Sequence, residues 1–419
     1  LPPRHYTERG SPLLTLSGAV QNYDWGSPTT IPDFLGVPAD GNPWAEVWYG
    51  AHPSHPAMAA SGARTAPARP LDSVIAADPE GWLGGDTVQR FGPGLPFLVK
   101  LLATRRALSI QVHPSLEQAR EGFRREREQG LDVDHSNYSD ANHKPEAIVA
   151  LSPLRALAGF RHAEDIRADL ALVAGMEQVC ADLDATCESQ AIELAFTRVQ
   201  HLSSADAGAA LAALCAAPGT PALDLARELL RQFPGDRGAL LSVFLNQVTV
   251  EPGHALSTGA GTVHAYLDGF GLEVMSSSDN VLRAGLTSKR VDIAEFCASA
   301  DFCPGRAPVR SLDCSWPAPA VSLQELQTGV PDFHLGILEV REPARVEVGG
   351  DGRVTMLIAL EGAPVLSDPT GRSALVPGEA VLVRATECVR VEGAGRLALV
   401  TVSSHGDGPG IRVSPLRRA

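Results

Sequence analysis

A chain of 419 residues, 44% hydrophobic, 20% charged and only 5% aromatic, has enough apolar surface for about three domain-sized cores. Its formal net charge of −14 disfavours nucleic acid or an anionic membrane as the main partner, because both demand a basic face, so an anionic substrate must meet a local basic pocket. The seven cysteines, Cys180, Cys187, Cys215, Cys297, Cys303, Cys314 and Cys388, form no C-x-x-C pair and are odd in number, which argues against a disulfide framework or a cysteine zinc site.

Taken in chain order, residues 1–151 read as short strands broken by Gly, Pro, Asp and Asn: "LLTLSGAVQNYDWG", "WAEVWYGAH", "PFLVKLLA", "ALSIQVHP" and "PEAIVALS". One helix interrupts them at about 115–128. Within it "REGFRREREQ" sets Glu121 against Arg125 and Arg124 against Glu128, the pairing of a solvated helix face. Residues 152–243 turn to Ala, Leu, Glu and Arg at three-four spacing, as in "ALDLARELLRQF", and predict a helical insertion. Strands return over 244–313, and the Pro-rich "FCPGRAPVRSLDCSWPAPA" reads as a linker into an all-β segment, 314–419. No apolar run reaches the roughly 18 residues of a membrane span, and "LPPRHYTERG" lacks the layout of a signal peptide. The expectation is a cytoplasmic, monomeric protein with no membrane partner.

A weak repeat links the two β segments. Pro252-Gly253-His254-Ala255-Leu256 and Pro377-Gly378-Glu379-Ala380-Val381 each precede a short strand. Counting twelve residues on from each proline sets His264 against Val389, so the second copy lacks the histidine and is expected to be structural.

The chemistry begins at "SIQVHP". On a strand, Ile110 and Val112 face one way while Ser109, Gln111 and His113 face the other, and Pro114 ends the ladder because it has no N–H to give. "ANHKPEAIVALS" opens another strand with Glu146, and "GAGTVHAYLDGFGLEV" presents His264 before a third. Two imidazoles, a carboxylate and an amide oxygen form a mixed N/O donor set suited to one zinc ion with a position left open. Singly, such residues are as a rule satisfied core or surface groups; their combination carries the argument.

The ordered motifs "QNYDWG", "AEVWYGAHPSHPA", "LSIQVHP", "NHKPE", "VHAYL" and "SSDNVLRAGLTSKRVD", spread over residues 19–292, resemble those of the type I mannose-6-phosphate isomerases, zinc enzymes of the cupin superfamily. The resemblance implies a mainly β fold, with a cupin jelly roll built from 1–151 and 244–313 around the insertion and a second, cupin-like unit at 314–419. It also implies that Gln111, His113, Glu146 and His264 hold the zinc, that Arg283 is the active-site arginine, and that mannose 6-phosphate and fructose 6-phosphate are interconverted. An enediol path needs an oxyanion stabiliser and a base. Lys144, two residues before Glu146, is expected near the metal; Glu273, Asp279 and a metal-bound water are all candidates for the base. Ser109, Lys100, Lys289 and Glu273 are the candidate substrate contacts, while Tyr266 and Trp25 read as packing or pocket wall. Two rivals stand beside this reading: an iron-dependent cupin oxygenase and a non-catalytic sugar-binding cupin. Gln111 as a fourth ligand speaks against the first, and the presence of a full ligand set against the second.

Overall fold

The computed structural model describes residues 12–61, 67–132, 135–318, 320–369, 371–404 and 412–415. The chain divides into two compact units: Leu1–Leu102, Leu272–Ser277 and Ser311–Ala419 form the first, and Ala103–Gly271 with Ser278–Arg310 form the second. These units cut across the four sequence segments. The physical reason is strand pairing: in the first unit Leu13–Ser17 lies antiparallel to Ala380–Val383, matching Leu13 with Val383 and Leu16 with Ala380.

Two antiparallel sheets, of nine and five strands among the described residues, build most of that first unit. Period-two alternation explains their packing. Leu357 and Ala359, Val381 and Val383, and Leu397 and Leu399 from the larger sheet share one core with Val346 and Val348, and with Val389 and Val391, from the smaller. The buried side chains of this core all come from residues 321–399. The Pro-rich stretch differs from its reading as a linker: Val309–Ser311 and Asp313–Ala318 are strands. Among the described residues the latter is the terminal strand of the nine-stranded sheet, an edge position where proline is tolerated.

In the second unit a run of helices packs on short strands. Pro221–Gln232 begins at Thr220, whose hydroxyl accepts from the Leu223 N–H, has proline in its first turn, and buries Ala222, Leu223, Leu225, Ala226 and Leu229 on one face. Glu188–His201 buries Ala191, Ile192, Ala195, Phe196 and Val199 in the same way. Phe196 is the junction: its ring meets Phe160, Phe244, Phe296 and Phe302 at centroid distances of 5.7, 5.5, 5.6 and 5.8 Å. Replacing it with alanine removes about 3–5 kcal/mol.

The solvated helix spans Leu116–Glu128 and starts with a reciprocal capping box between Ser115 and Gln118. Arg124 reaches Glu128 at 2.6 Å as expected, but Glu121 also pairs with Arg124, at 2.7 Å, because Arg125 is drawn away to Glu295. Among the described residues no helix is long and apolar enough to cross a membrane.

Both Pro-Gly turns have the same construction. Gly253 and Gly378 sit at φ +83°, a left-handed conformation that glycine adopts without a Cβ clash. Each donates its N–H to an alanine carbonyl, Ala150 and Ala359, and the residue after each closes a four-residue turn by donating to the carbonyls of Glu251 and Val376. Strands follow at His254–Thr258 and Ala380–Val383.

Candidate metal centre

The strand Ile110–Val112 buries Ile110 and Val112 completely in the apolar core of the second unit, which leaves the other parity for polar groups. Gln111 pairs across the ladder with His264, the first residue of the strand His264–Ser276, and also with Arg283 of the strand Leu282–Gly285. Glu146 opens the strand Glu146–Ala150. Directly opposed residues of antiparallel strands project to the same side, so Gln111, His264 and Arg283 share one face.

The ligand atoms of His113, Glu146 and His264 all lie within 4.8 Å of one another. Glu146 Oε2 is 3.2 Å from His113 Nε2 and 3.3 Å from His264 Nε2, and all three residues are buried. These spacings look like ion pairs, but the protons are elsewhere. His113 Nδ1 donates to the Asn280 carbonyl at 2.8 Å, and His264 Nδ1 donates to the Thr262 carbonyl at 2.9 Å. In the neutral imidazoles each Nε2 therefore carries a lone pair aimed at a carboxylate oxygen. Consistent with that, His113 Nε2 and Glu146 Oε2 are buried with no hydrogen-bond partner among the described residues. Converging lone pairs on buried groups call for a cation, and two nitrogens with one oxygen fit zinc.

Electrostatics keeps the donors in their ligating forms. Burial pushes the His113 imidazole down to about 4, more than Glu146 raises it, so it is neutral at pH 7. Burial pushes the Glu146 carboxyl up, but the Lys144 ammonium together with the His113 and His264 imidazoles more than offsets this and holds it well below the usual carboxylate range. Lys144 is itself buried and donates to Glu146 Oε1, leaving Oε2 for the two imidazoles. Gln111 presents its amide nitrogen 3.3 Å from His264 Nε2; turned through 180°, the same side chain places its oxygen there.

Arg283 lies half-buried, and burial lowers its pKa from the ordinary value. Its guanidinium donates to the Val281 carbonyl at 3.3 Å and meets no carboxylate among the described residues. A partly desolvated cation in that state is a receptor for an anion. Ser109 is half-buried beside the strand, and Lys289 and Asp279 are exposed.

Lys100 and Glu273 belong to the first unit. Lys100 Nζ stands 3.1 Å from Glu273 and 3.5 Å from Glu46, all three buried, and lies 5.3 Å from the centre of the Trp48 ring. The Trp48 indole N–H donates to Glu46 at 2.6 Å. Sequence reasoning passed over Glu46 and Trp48. The available signal was a carboxylate and an aromatic two residues apart, hence on one strand face, inside the apolar "WAEVWYG".

A strand-rich fold whose buried ladder ends gather two imidazoles and a carboxylate around one point defines a mononuclear metal protein of the cupin type. Residues 13–163 match the family described as phosphomannose isomerase type I, catalytic domain. Over 93% of its length the chain is 36% identical to mannose-6-phosphate isomerase of Salmonella typhimurium, covering 99% of that protein, and over 91% it is 31% identical to the Homo sapiens enzyme of that name, covering 95%. A solved zinc-bound mannose 6-phosphate isomerase superposes with a TM-score of 0.85 at 33% identity, over 94% of this chain and 100% of that one. The chain belongs to the type I mannose-6-phosphate isomerase family.

Proposed function

We propose that this chain is a zinc-dependent aldose–ketose isomerase that interconverts mannose 6-phosphate and fructose 6-phosphate by moving a proton between C1 and C2 through an enediol. The observation that carries the reading is the set of lone pairs converging from His113, His264 and Glu146, on a chain whose relatives bear that enzyme's name over almost their whole length. His113, His264, Glu146 and Gln111 are the residues that would hold zinc, which supplies Lewis-acid polarisation of the sugar oxygens when bound.

This chain's own side chains do the rest. Arg283, on the face of Gln111 and with no carboxylate partner among the described residues, supports the enediolate oxygen more strongly as its charge grows, which is how such a group accelerates the step. Lys144 keeps Glu146 ionised and adds a buried positive charge next to the metal ligands. Lys100 and Glu273 are proposed to touch substrate, with Glu273 ahead of Asp279 as proton carrier. Its carboxylate is buried against an ammonium that fixes its position, whereas Asp279 is exposed. Ser109 and Lys289 are proposed phosphate donors on the polar rim. The insertion and the C-terminal β unit are read as structural. The protein is further read as a monomer and as cytoplasmic, the latter in keeping with seven free cysteines.

The test is NMR on purified, zinc-loaded protein given mannose 6-phosphate in heavy water. Fructose 6-phosphate should appear, without uptake of oxygen. Folded protein with one zinc per chain and no interconversion of any hexose phosphate would overturn the reading.

A further inference from the structure

The ring of His113 is held by a carbonyl that no side-chain substitution can remove directly, that of Asn280. What places this carbonyl is the Asn280 side chain, which is fully buried and has every polar position filled. Its amide N–H groups donate to the carbonyls of Asp140 at 2.8 Å and Asn142 at 2.7 Å, and its oxygen accepts from the N–H groups of Ser139 at 2.8 Å and Asp140 at 3.3 Å. With donors facing carbonyls and the oxygen facing N–H groups, the amide has only one sensible orientation.

Asp140 answers from the other side. Its carboxylate accepts from the Ser278 hydroxyl at 2.9 Å, the Asp279 N–H at 2.9 Å and the Asn142 N–H at 2.8 Å. Two loops are thereby fastened to each other. One, 139–142, runs directly into Lys144 and Glu146; the other, 278–280, runs directly into the strand that bears Arg283.

We infer that Asn280, braced by Asp140, is a positioning residue for the metal centre: it fixes the His113 tautomer that exposes Nε2 and holds the loop that delivers Glu146 in register with it. The physical reason is that a hydrogen bond from one ring nitrogen to an acceptor leaves the other as the ligating lone pair, and a strand end holds its carboxylate only as firmly as the loop before it is held. Burial makes the effect large, since a loosened loop leaves carbonyls and N–H groups without water to replace the lost bonds.

The inference rests on the metal assignment of the preceding subsection and not on turnover, so it is tested by zinc binding alone. Zinc affinity is measured by competition with a chromophoric chelator for the unaltered chain, for Asn280→Ala and for Asp140→Asn. Asn280→Ala is expected to weaken zinc about 10- to 100-fold, and Asp140→Asn by a smaller factor in the same direction. Combined, the two changes should weaken zinc by less than the product of their separate effects, because they loosen one clamp. Nitrogen-15 correlation spectra of the zinc-free protein should show His113 protonated at Nδ1, and a mixture of tautomers in Asn280→Ala; a merely structural brace would not move that signature. If Asn280→Ala does not fold, Asp140→Asn carries the test. A folded variant of either kind with unchanged zinc affinity and an unchanged His113 tautomer overturns the inference. Failure of the unaltered chain to bind zinc would instead overturn the metal assignment.

Discussion

The two Pro-Gly turns make a controlled comparison inside one chain. Gly253 and Gly378 share a backbone angle and a hydrogen-bond pattern, and each turn launches a short strand. Twelve residues beyond Pro252 stands His264, buried, with a lone pair facing a carboxylate. Twelve residues beyond Pro377 stands Val389, equally buried, packed with Val346, Val348 and Val391. The two turns are alike, and the residues twelve positions on differ in what they meet: one faces a carboxylate, the other completes an aliphatic core. An aliphatic interior is satisfied by contact alone, whereas the imidazole–carboxylate interior is left with unmet lone pairs until a cation arrives.

That contrast can be broken by experiment, and the largest effect is expected at the histidines. His113→Ala or His264→Ala should abolish near-stoichiometric zinc, read by metal analysis, while Val389→Ala should leave zinc content untouched. Normal zinc in either histidine variant would mean that the ligand is wrongly assigned. Arg283→Ala should come next, with kcat about a hundredfold lower at normal zinc content and Arg283→Lys between the two, because lysine keeps the charge but loses the planar fork. A rise in KM alone would make Arg283 a uniform phosphate binder. Val389→Ala sharpens the other side of the comparison: a loss of about 1–3 kcal/mol in urea unfolding with catalysis unchanged per folded molecule, as expected for a cavity in an aliphatic core.

The smallest effect is a pH dependence of the zinc-free protein. Burial holds His113 at about 4 in the folded chain, against an ordinary value of 6.5. Between those values the unfolded chain binds a proton that the folded chain refuses, so stability falls as pH drops from about 6.5 towards 4. The slope in urea midpoint should flatten in His113→Ala; parallel slopes would show that this imidazole does not titrate as its burial requires.

Much of this site was legible from local pattern. Alternation in "SIQVHP" puts Gln111 on the face opposite Ile110 and Val112, and the structure buries those two in the core while Gln111 meets His264. Pattern failed where the partner is remote. Leu13–Ser17 pairs with Ala380–Val383, more than 300 residues away, and nothing in either stretch names the other, so the compact units could not be drawn from sequence segments. Asn280 escaped for a related reason: an asparagine in "SSDN" reads as an ordinary turn residue, and its four bonds depend on a loop about 140 residues earlier. Lys100 was singled out as a cation, yet its placement between Glu46 and Glu273 depends on which strands lie side by side. The Pro-rich stretch misled because composition does not report whether a strand lies at a sheet edge, where proline is tolerated.

The Lys144–Glu146 contact bears on metal selectivity. With one carboxylate oxygen occupied by an ammonium, the centre offers a single anionic oxygen beside two imidazoles, and the lysine offsets even that charge. Calcium and magnesium, which need several oxygens, find too few. Nitrogen-preferring first-row ions are favoured, and among them intrinsic affinity peaks at copper rather than zinc. The donor set therefore narrows the choice to a group of metals, and the supply of ions in the cell selects within that group.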